Sequence, residues 1–315
     1  MSAPLRVGVV GVGYLGRFHA RIYAEMEGVA LVGVADTDPR SADVIARRYG
    51  CRAYDHPEGL IGQVDAVSVV VPTSAHAEVT LPYLDRGVHV LLEKPLADSV
   101  PAARRIVERA ERNGVVLQVG HLERFNAGIM TLAERARDPR FIEAHRLGTF
   151  VARATDVDVV TDLMIHDIDI ILSLVDSPLA QISAVGLPVL TRHVDIANAR
   201  LEFANGAVAN VTASRVSNKK FRRLRVFGRD AYHALNFVDQ QIEVVRAAAP
   251  PVDGRYPEIV TERLPVASRQ PLDAELEDFV RVVRQGGRPL VGGRDGLLAL
   301  EVALQVKERI HACLH

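Results

Sequence analysis

The chain of 315 residues has no tryptophan, two cysteines and a 5% share of aromatic residues. Cys51 and Cys313 make neither a disulfide framework nor a zinc-binding spacing. So few aromatics offer no platform for stacked bases, and a formal net charge of −1 lacks the basic bias of nucleic-acid or membrane-surface proteins. A run of roughly 18 apolar residues, the length of a membrane-spanning helix, is also missing. The start, Met-Ser-Ala-Pro-Leu5-Arg6, leads straight into an apolar segment, so no secretory leader is expected. These absences set aside nucleic acid and membrane as partners and make a reduced cytoplasm the expected compartment. What is present, 48% hydrophobic and 24% charged residues, suits a soluble globular protein with room for two domains.

The most informative stretch is Val7 to Gly16, an apolar strand that runs into Gly11-x-Gly13-x-x-Gly16 and then a helical pattern over Gly16–Met26. Each glycine has a mechanical task. Gly11 permits the tight turn, Gly13 lets the backbone approach a pyrophosphate, and Gly16 lets the helix pack close to the strand. Tyr14 and Leu15 lie within the turn. The free amides and positive dipole end of the helix favour a bound diphosphate. A second apolar strand, Ala30–Ala35, ends in Asp36, twenty residues beyond Gly16, where a carboxylate accepts from a ribose 2′-hydroxyl. That carboxylate repels a 2′-phosphate, so NAD is expected rather than NADP. Thr37 adjoins it, and Arg40 partly offsets the repulsion.

Residues 5 to about 120 alternate strands and helices. Expected strands are Leu5–Val10, Ala30–Ala35, Ala66–Val71, His89–Leu92 and Val115–Val119, with helices at Gly16–Met26, Pro39–Tyr49, Ala75–Arg86 and Val100–Asn113. This pattern predicts an α/β doubly wound parallel sheet, whose ligands bind beyond the carboxyl ends of the strands. After Gly120 come helices near Asn126–Arg137 and Thr161–Leu174, then alternating segments. These are Gln181–Val189, Ile196–Phe203, Ala207–Ser214, Phe221–Gly228, Tyr232–Phe237 and Gln241–Arg246. They predict an α+β domain with an open-faced, mainly antiparallel sheet, in which Ala204-Asn-Gly206 makes a hairpin turn. Residues 247–270 read as a loop, and helices are expected at Asp273–Gln285 and Arg294–Cys313. The expected division is 1–120 for dinucleotide binding and 121–293 for substrate binding and oligomerisation, with the helix at 294–315 packing back on the first domain.

Candidate chemistry clusters at strand ends. Glu93-Lys94-Pro95 follows the fourth strand, where a lysine meets a substrate beside the nucleotide crevice; alternatively Glu93 and Lys94 form a solvated pair. Pro72-Thr73-Ser-Ala-His76 closes the third strand, where cofactor contacts are expected, although a histidine such as His76 is more often bonded to backbone. Gly120-His121-Leu-Glu123-Arg124-Phe-Asn126 follows the last strand, with Arg124 offering a planar fork for an anion or sugar hydroxyls. On the helix at Thr161–Leu174, Asp162, His166, Asp169 and Ser173 form one polar stripe. Asp162 and His166 are one turn apart, a carboxylate that orients an imidazole as general base near neutral pH. A metal reading of the same residues is poorer, for want of a second histidine or a Glu at zinc-like spacing. The basic run Arg215 to Arg225 reads as a charged sheet face or, in its sharper form, places Arg215 on a substrate diphosphate.

With Gly11-x-Gly13-x-x-Gly16, Glu93-Lys94-Pro95 and Asp162-x₃-His166 in this order, the chain resembles the Gfo/Idh/MocA family over essentially its whole length. The resemblance implies a Rossmann domain, an open-faced α/β domain, and NAD held between them. It implies Lys94, Asp162 and His166 as catalytic residues, and makes Lys94–Pro95 a candidate cis bond. Within the family, Gly120–Asn126 and Asp162–Asp169 look like the UDP-N-acetylglucosamine 3-dehydrogenase branch. That branch oxidises the sugar C3 hydroxyl to a ketone, which an aminotransferase then aminates on the way to amide-linked lipid A. His121, Glu123, Arg124, Asn126, Asp162, His166 and Arg215 then form the expected substrate set. Lys94 and His166 are interchangeable as the group that holds the proton. The alternatives are a relative acting on another sugar nucleotide or a free polyol such as inositol, and a non-catalytic NAD-binding sensor. The open sheet points to a homo-oligomer, dimer or tetramer.

Overall fold

The computed structural model of the chain describes residues 3–151, 157–249, 256–267 and 269–313. It divides into two compact units, Met1–Leu122 with Gln270–Leu300, and Glu123–Arg269 with Glu301–His315.

The first unit is built on six strands: β1 (Leu5–Val10), β2 (Val29–Ala35), β3 (Arg52–Tyr54), β4 (Ala66–Val69), β5 (His89–Glu93) and β6 (Leu117–Gly120). All pair in parallel, in the order β3-β2-β1-β4-β5-β6. Val7, Val9, Val67 and Val90 are fully buried, as a parallel sheet covered on both faces requires. The connecting helices are α1 (Gly16–Glu25), α2 (Pro39–Tyr49), α3 (His76–Asp85) and α4 (Val100–Asn113). Asp38 starts α2 by accepting the Arg40 N–H, Pro39 occupies its first turn, and Gly50 ends it in the left-handed conformation. Tyr23 of α1 and Phe279 of α7 (Pro271–Gln285) enter the apolar core beside β1. Because the strand order reverses between β1 and β4, the ligand crevice of such a sheet opens there, beyond the strands' carboxyl ends.

The second unit is built on an eight-stranded sheet. Its strands are β7 (Phe141–Leu147), β8 (Leu179–Leu187), β9 (Ile196–Phe203), β10 (Val208–Ser214), β11 (Phe221–Phe227), β12 (Ala231–Asn236), β13 (Gln241–Ala247) and β14 (Ile259–Pro265). The order is β14-β13-β12-β11-β7-β10-β9-β8, antiparallel except for the β7–β10 pair. Burial alternates along β7, β9 and β10, so one face packs inward. That face meets α5 (Ala127–Arg135) and α6 (Ile165–Leu174), while Glu143, Asn210 and Arg200 on the other face are half-buried or exposed. The turn at Ala204-Asn-Gly206 joins β9 to β10, with Gly206 at φ 82°. The last helix, α8 (Gly293–Cys313), begins in the first unit and ends in the second.

Two segments correct the sequence reading. The expected loop at 247–270 contains β14, an edge strand with one buried residue, Leu264, so its periodic signal is faint; 250–255 and 268 lie outside the described residues. The helix expected from Thr161 opens instead with a π-type turn, Val160–Met164, before α6 begins. Strands β3 and β7 were not anticipated.

Candidate active site

In the first unit, every expected cofactor residue stands at or just beyond the carboxyl end of a strand. Gly11 adopts φ +82°, and a side chain on Gly16 would collide with the Gly11 carbonyl oxygen, its Cβ only 1.8 Å away. Gly13 is different: it is exposed, and nothing lies within 4 Å of where a Cβ would stand. The turn therefore offers an open cradle of backbone. No side chain caps the start of α1, which leaves that helix end to an anion. Asp36 follows β2, its carboxylate accepting the Val12 N–H at 2.7 Å and the Asp38 N–H at 2.9 Å. It thus joins the glycine turn to the β2 end, and its remaining lone pairs suit ribose hydroxyls. Tyr14, Thr37, Arg40 and Pro72 are exposed, and Leu15 and Thr73 half-buried. These residues fit a dinucleotide.

Lys94 follows β5, half-buried, and Lys94–Pro95 is a cis peptide bond. Glu93 turns inward beside it. Its carboxylate accepts the Lys94 backbone N–H at 3.2 Å and lies 3.4 Å from His19 Nε2. His76 is held between two carbonyls, Nδ1 at 2.9 Å from Pro95 and Nε2 at 3.0 Å from Val71. Burial lowers its pKa, and the neutral ring donates to one of these oxygens. His76 therefore braces the lysine turn, the backbone-bonded reading of this residue. His121 is fully buried past the end of β6.

The second unit carries the other candidate groups. Asp162 and His166 are half-buried, Asp162 within the π-type turn and His166 in the first turn of α6. π-Type turns inside helices are frequent at functional sites. The segment leading into this turn is tightly held. Asp158 accepts the N–H groups of Val160 and Thr161, both at 3.0 Å, and Lys307 Nζ lies 2.8 Å from its other oxygen. Burial opposes the charge of Asp158, but Lys307 and Thr161 outweigh it and hold the carboxyl below its ordinary value.

The expected polar stripe divides. Asp169 is buried at 2% exposure and lies 3.5 Å from Arg124, whereas Ser173 is exposed and its hydroxyl donates to the Ile170 carbonyl. Arg215 is nearly buried, donates to the Val157 carbonyl and lies 3.5 Å from Asp195. The structure thus engages it with its own loops. Glu123 receives Arg146 and Arg222, and Asn126 caps α5 by accepting the Gly128 N–H at 2.9 Å. Sequence reasoning missed Arg146 and Asp167, a buried pair. The signal was available, because a second carboxylate next to His166 on an apolar helix needs a cation. No group of three or more His, Cys, Asp or Glu side chains among the described residues is arranged to hold a metal ion.

Comparison with known proteins bears on both units. A model described as an oxidoreductase family with an NAD-binding Rossmann fold matches residues 5–121, and one described as the GFO/IDH/MocA C-terminal domain matches 131–232. UDP-N-acetylglucosamine 3-dehydrogenase of Acidithiobacillus ferrooxidans is 37% identical over 311 residues, 98% of each chain. A solved structure of that enzyme superposes with a TM-score of 0.93, covering 99% of each chain. The scyllo-inositol 2-dehydrogenase (NAD(+)) of Bacillus subtilis is 26% identical over 332 residues, 96% of this chain and 93% of the relative.

Proposed function

The chain belongs to the Gfo/Idh/MocA oxidoreductase family, as an NAD-dependent dehydrogenase, and from that premise we propose that it oxidises the C3 hydroxyl of UDP-N-acetylglucosamine to a ketone. The observation that carries the substrate is the 37% identity to a UDP-N-acetylglucosamine 3-dehydrogenase along 98% of both chains, against 26% to the scyllo-inositol enzyme.

In this reading NAD, when bound, supplies the hydride acceptor, held by the Gly11–Gly16 turn and Asp36. Lys94 donates a hydrogen bond to the C3 oxygen and stabilises the negative charge that develops there. His166 takes the hydroxyl proton as general base, and Asp162 orients the ring and favours the charge it gains. Glu93 and His76 brace the lysine turn. Arg124 and Asn126 serve the sugar nucleotide. The 3-keto product is suited to amination by an aminotransferase, and the resulting diamino sugar supplies amide-linked lipid A. A second copy of the chain covers the open face of the eight-stranded sheet.

The test is turnover of UDP-N-acetylglucosamine with NAD⁺, coupled to a glutamate-dependent sugar aminotransferase because the ketone alone is uphill. NADH formation that requires both the sugar nucleotide and the aminotransferase supports the proposal. NADH formation with myo-inositol instead would retain the family and discard the substrate.

A further inference from the structure

Arg146 lies on the inward register of β7, alternating with Glu143 and His145 and sharing the covered face with Ile142 and Ala144. An arginine only 5% exposed among such residues is unusual, and its donors point in two directions. Nε and Nη2 form a fork on the two Asp167 oxygens at 2.7 and 2.8 Å. Nη1 donates to Glu123 Oε1 at 2.9 Å. Asp167 directly follows His166, and Glu123 directly precedes Arg124. One side chain therefore ties a strand to two of the segments of the second unit that carry candidate site residues. Burial alone would lower the Arg146 pKa, but Asp167, Glu123 and Asp162 outweigh it and raise it. Arg222 reaches the same Glu123 oxygen, and both guanidinium groups lie over the Phe237 ring, at 6.0 and 5.6 Å.

Stability is a poor explanation for this arrangement. A buried ion pair contributes about as much as, or less than, apolar residues of the same volume. What the fork adds is direction, since a planar bidentate contact fixes rotation as well as distance. Apart from Asp169, which lies 3.5 Å from Arg124, the other buried side chains of α6 are isoleucines, Ile165, Ile168, Ile170 and Ile171, all fully buried. Apolar packing of that kind keeps a helix in place but loses uniqueness of orientation before it loses stability. A displacement of about 1 Å at a catalytic group can lower a rate by roughly 100-fold.

We propose that Arg146 is a positioning residue, whose fork on Asp167 and third bond to Glu123 fix the rotation of α6, and with it the direction of the His166 ring, relative to Arg124. The inference rests on the reading of His166 as the catalytic base.

Three forms of the full chain test it: wild type, Arg146→Lys, and the double variant Arg146→Met with Asp167→Leu. Each is assayed for thermal midpoint, NAD⁺ binding, kcat and KM on UDP-N-acetylglucosamine, and the His166 ring signal in NMR, assigned with His166→Gln. The double variant replaces the pair by apolar residues of similar size. Its expected result is a near-wild-type midpoint and NAD⁺ affinity with kcat lowered about 100-fold and a shifted or broadened His166 signal. Arg146→Lys keeps the charge and loses the fork, so kcat falls about 10-fold. A double variant with wild-type kcat and an unmoved His166 signal would overturn the inference. Should the double variant not fold, Arg146→Lys decides: wild-type kcat and an unmoved His166 signal overturn the proposal. If the wild type does not turn over UDP-N-acetylglucosamine, the substrate reading fails by itself, and the His166 signal in the variants still judges the positioning role.

Discussion

Glu275 on α7 is fully buried, and neither carboxylate oxygen has a hydrogen-bond partner among the described residues. Burial raises its pKa well above the ordinary value, and the charges of Glu93 and Asp278 push the same way. The folded state thus keeps a proton that the unfolded state releases above about pH 4.5, so stability falls as pH rises beyond that point. Replacing Glu275 with Gln removes the cost of a held proton. The Glu275→Gln variant should melt above the wild type, by a margin that grows as the pH rises above about 4.5; a pH-independent gap in calorimetry would contradict this. Lys94 is a different case, half-buried just beyond the end of β5. Lys94→Ala should lower kcat by roughly 10²–10⁴-fold while NAD⁺ still binds, and near-normal turnover would remove Lys94 from the chemistry. The glycine turn, Asp36, Lys94 and the Asp162–His166 spacing were all legible, because each depends on local sequence. The engagement of Arg215 with Val157 and Asp195 was not, since partners 58 and 20 residues away leave no local trace.

At the scale of elements, α2, α4, β1 and β9 begin and end where the sequence placed them, each marked by caps, glycines or clean alternation. Strand β7 escaped because Arg146 occupies an inward position, so its alternation of polar and apolar residues is broken. Strand β3 is three residues long, too short for a period to show. The start of α6 was read as regular helix, although Asp158 and Lys307 anchor a π-type turn there. Because Asp158 holds two backbone donors and the Thr161 hydroxyl, Asp158→Ala should destabilise the protein by about 1–2 kcal/mol. It should also lower kcat more than KM, since Asp162 lies within the turn that is released. A stability loss with unchanged kcat would show that the turn does not set the site.

For the molecule as a whole, near-neutral net charge and two cysteines leave cofactor binding as the clearest external influence on stability. A ligand that binds only the folded state at 100 times its Kd stabilises by about 2.7 kcal/mol, which for a chain of this size is a rise of roughly 4 °C. NAD⁺ should produce such a rise in a thermal melt. On the reading of Asp36 as the ribose-binding residue, NADP⁺ should not, because that carboxylate repels a 2′-phosphate. Equal shifts with both cofactors would reject Asp36 as the discriminating residue.

The most direct measurement uses UDP-N-acetylglucosamine deuterated at C3, in the coupled assay with unlabelled NAD⁺. The account predicts slower turnover than with the unlabelled sugar and deuterium recovered in the NADH. Deuterium left on the sugar while NADH forms would contradict oxidation at C3.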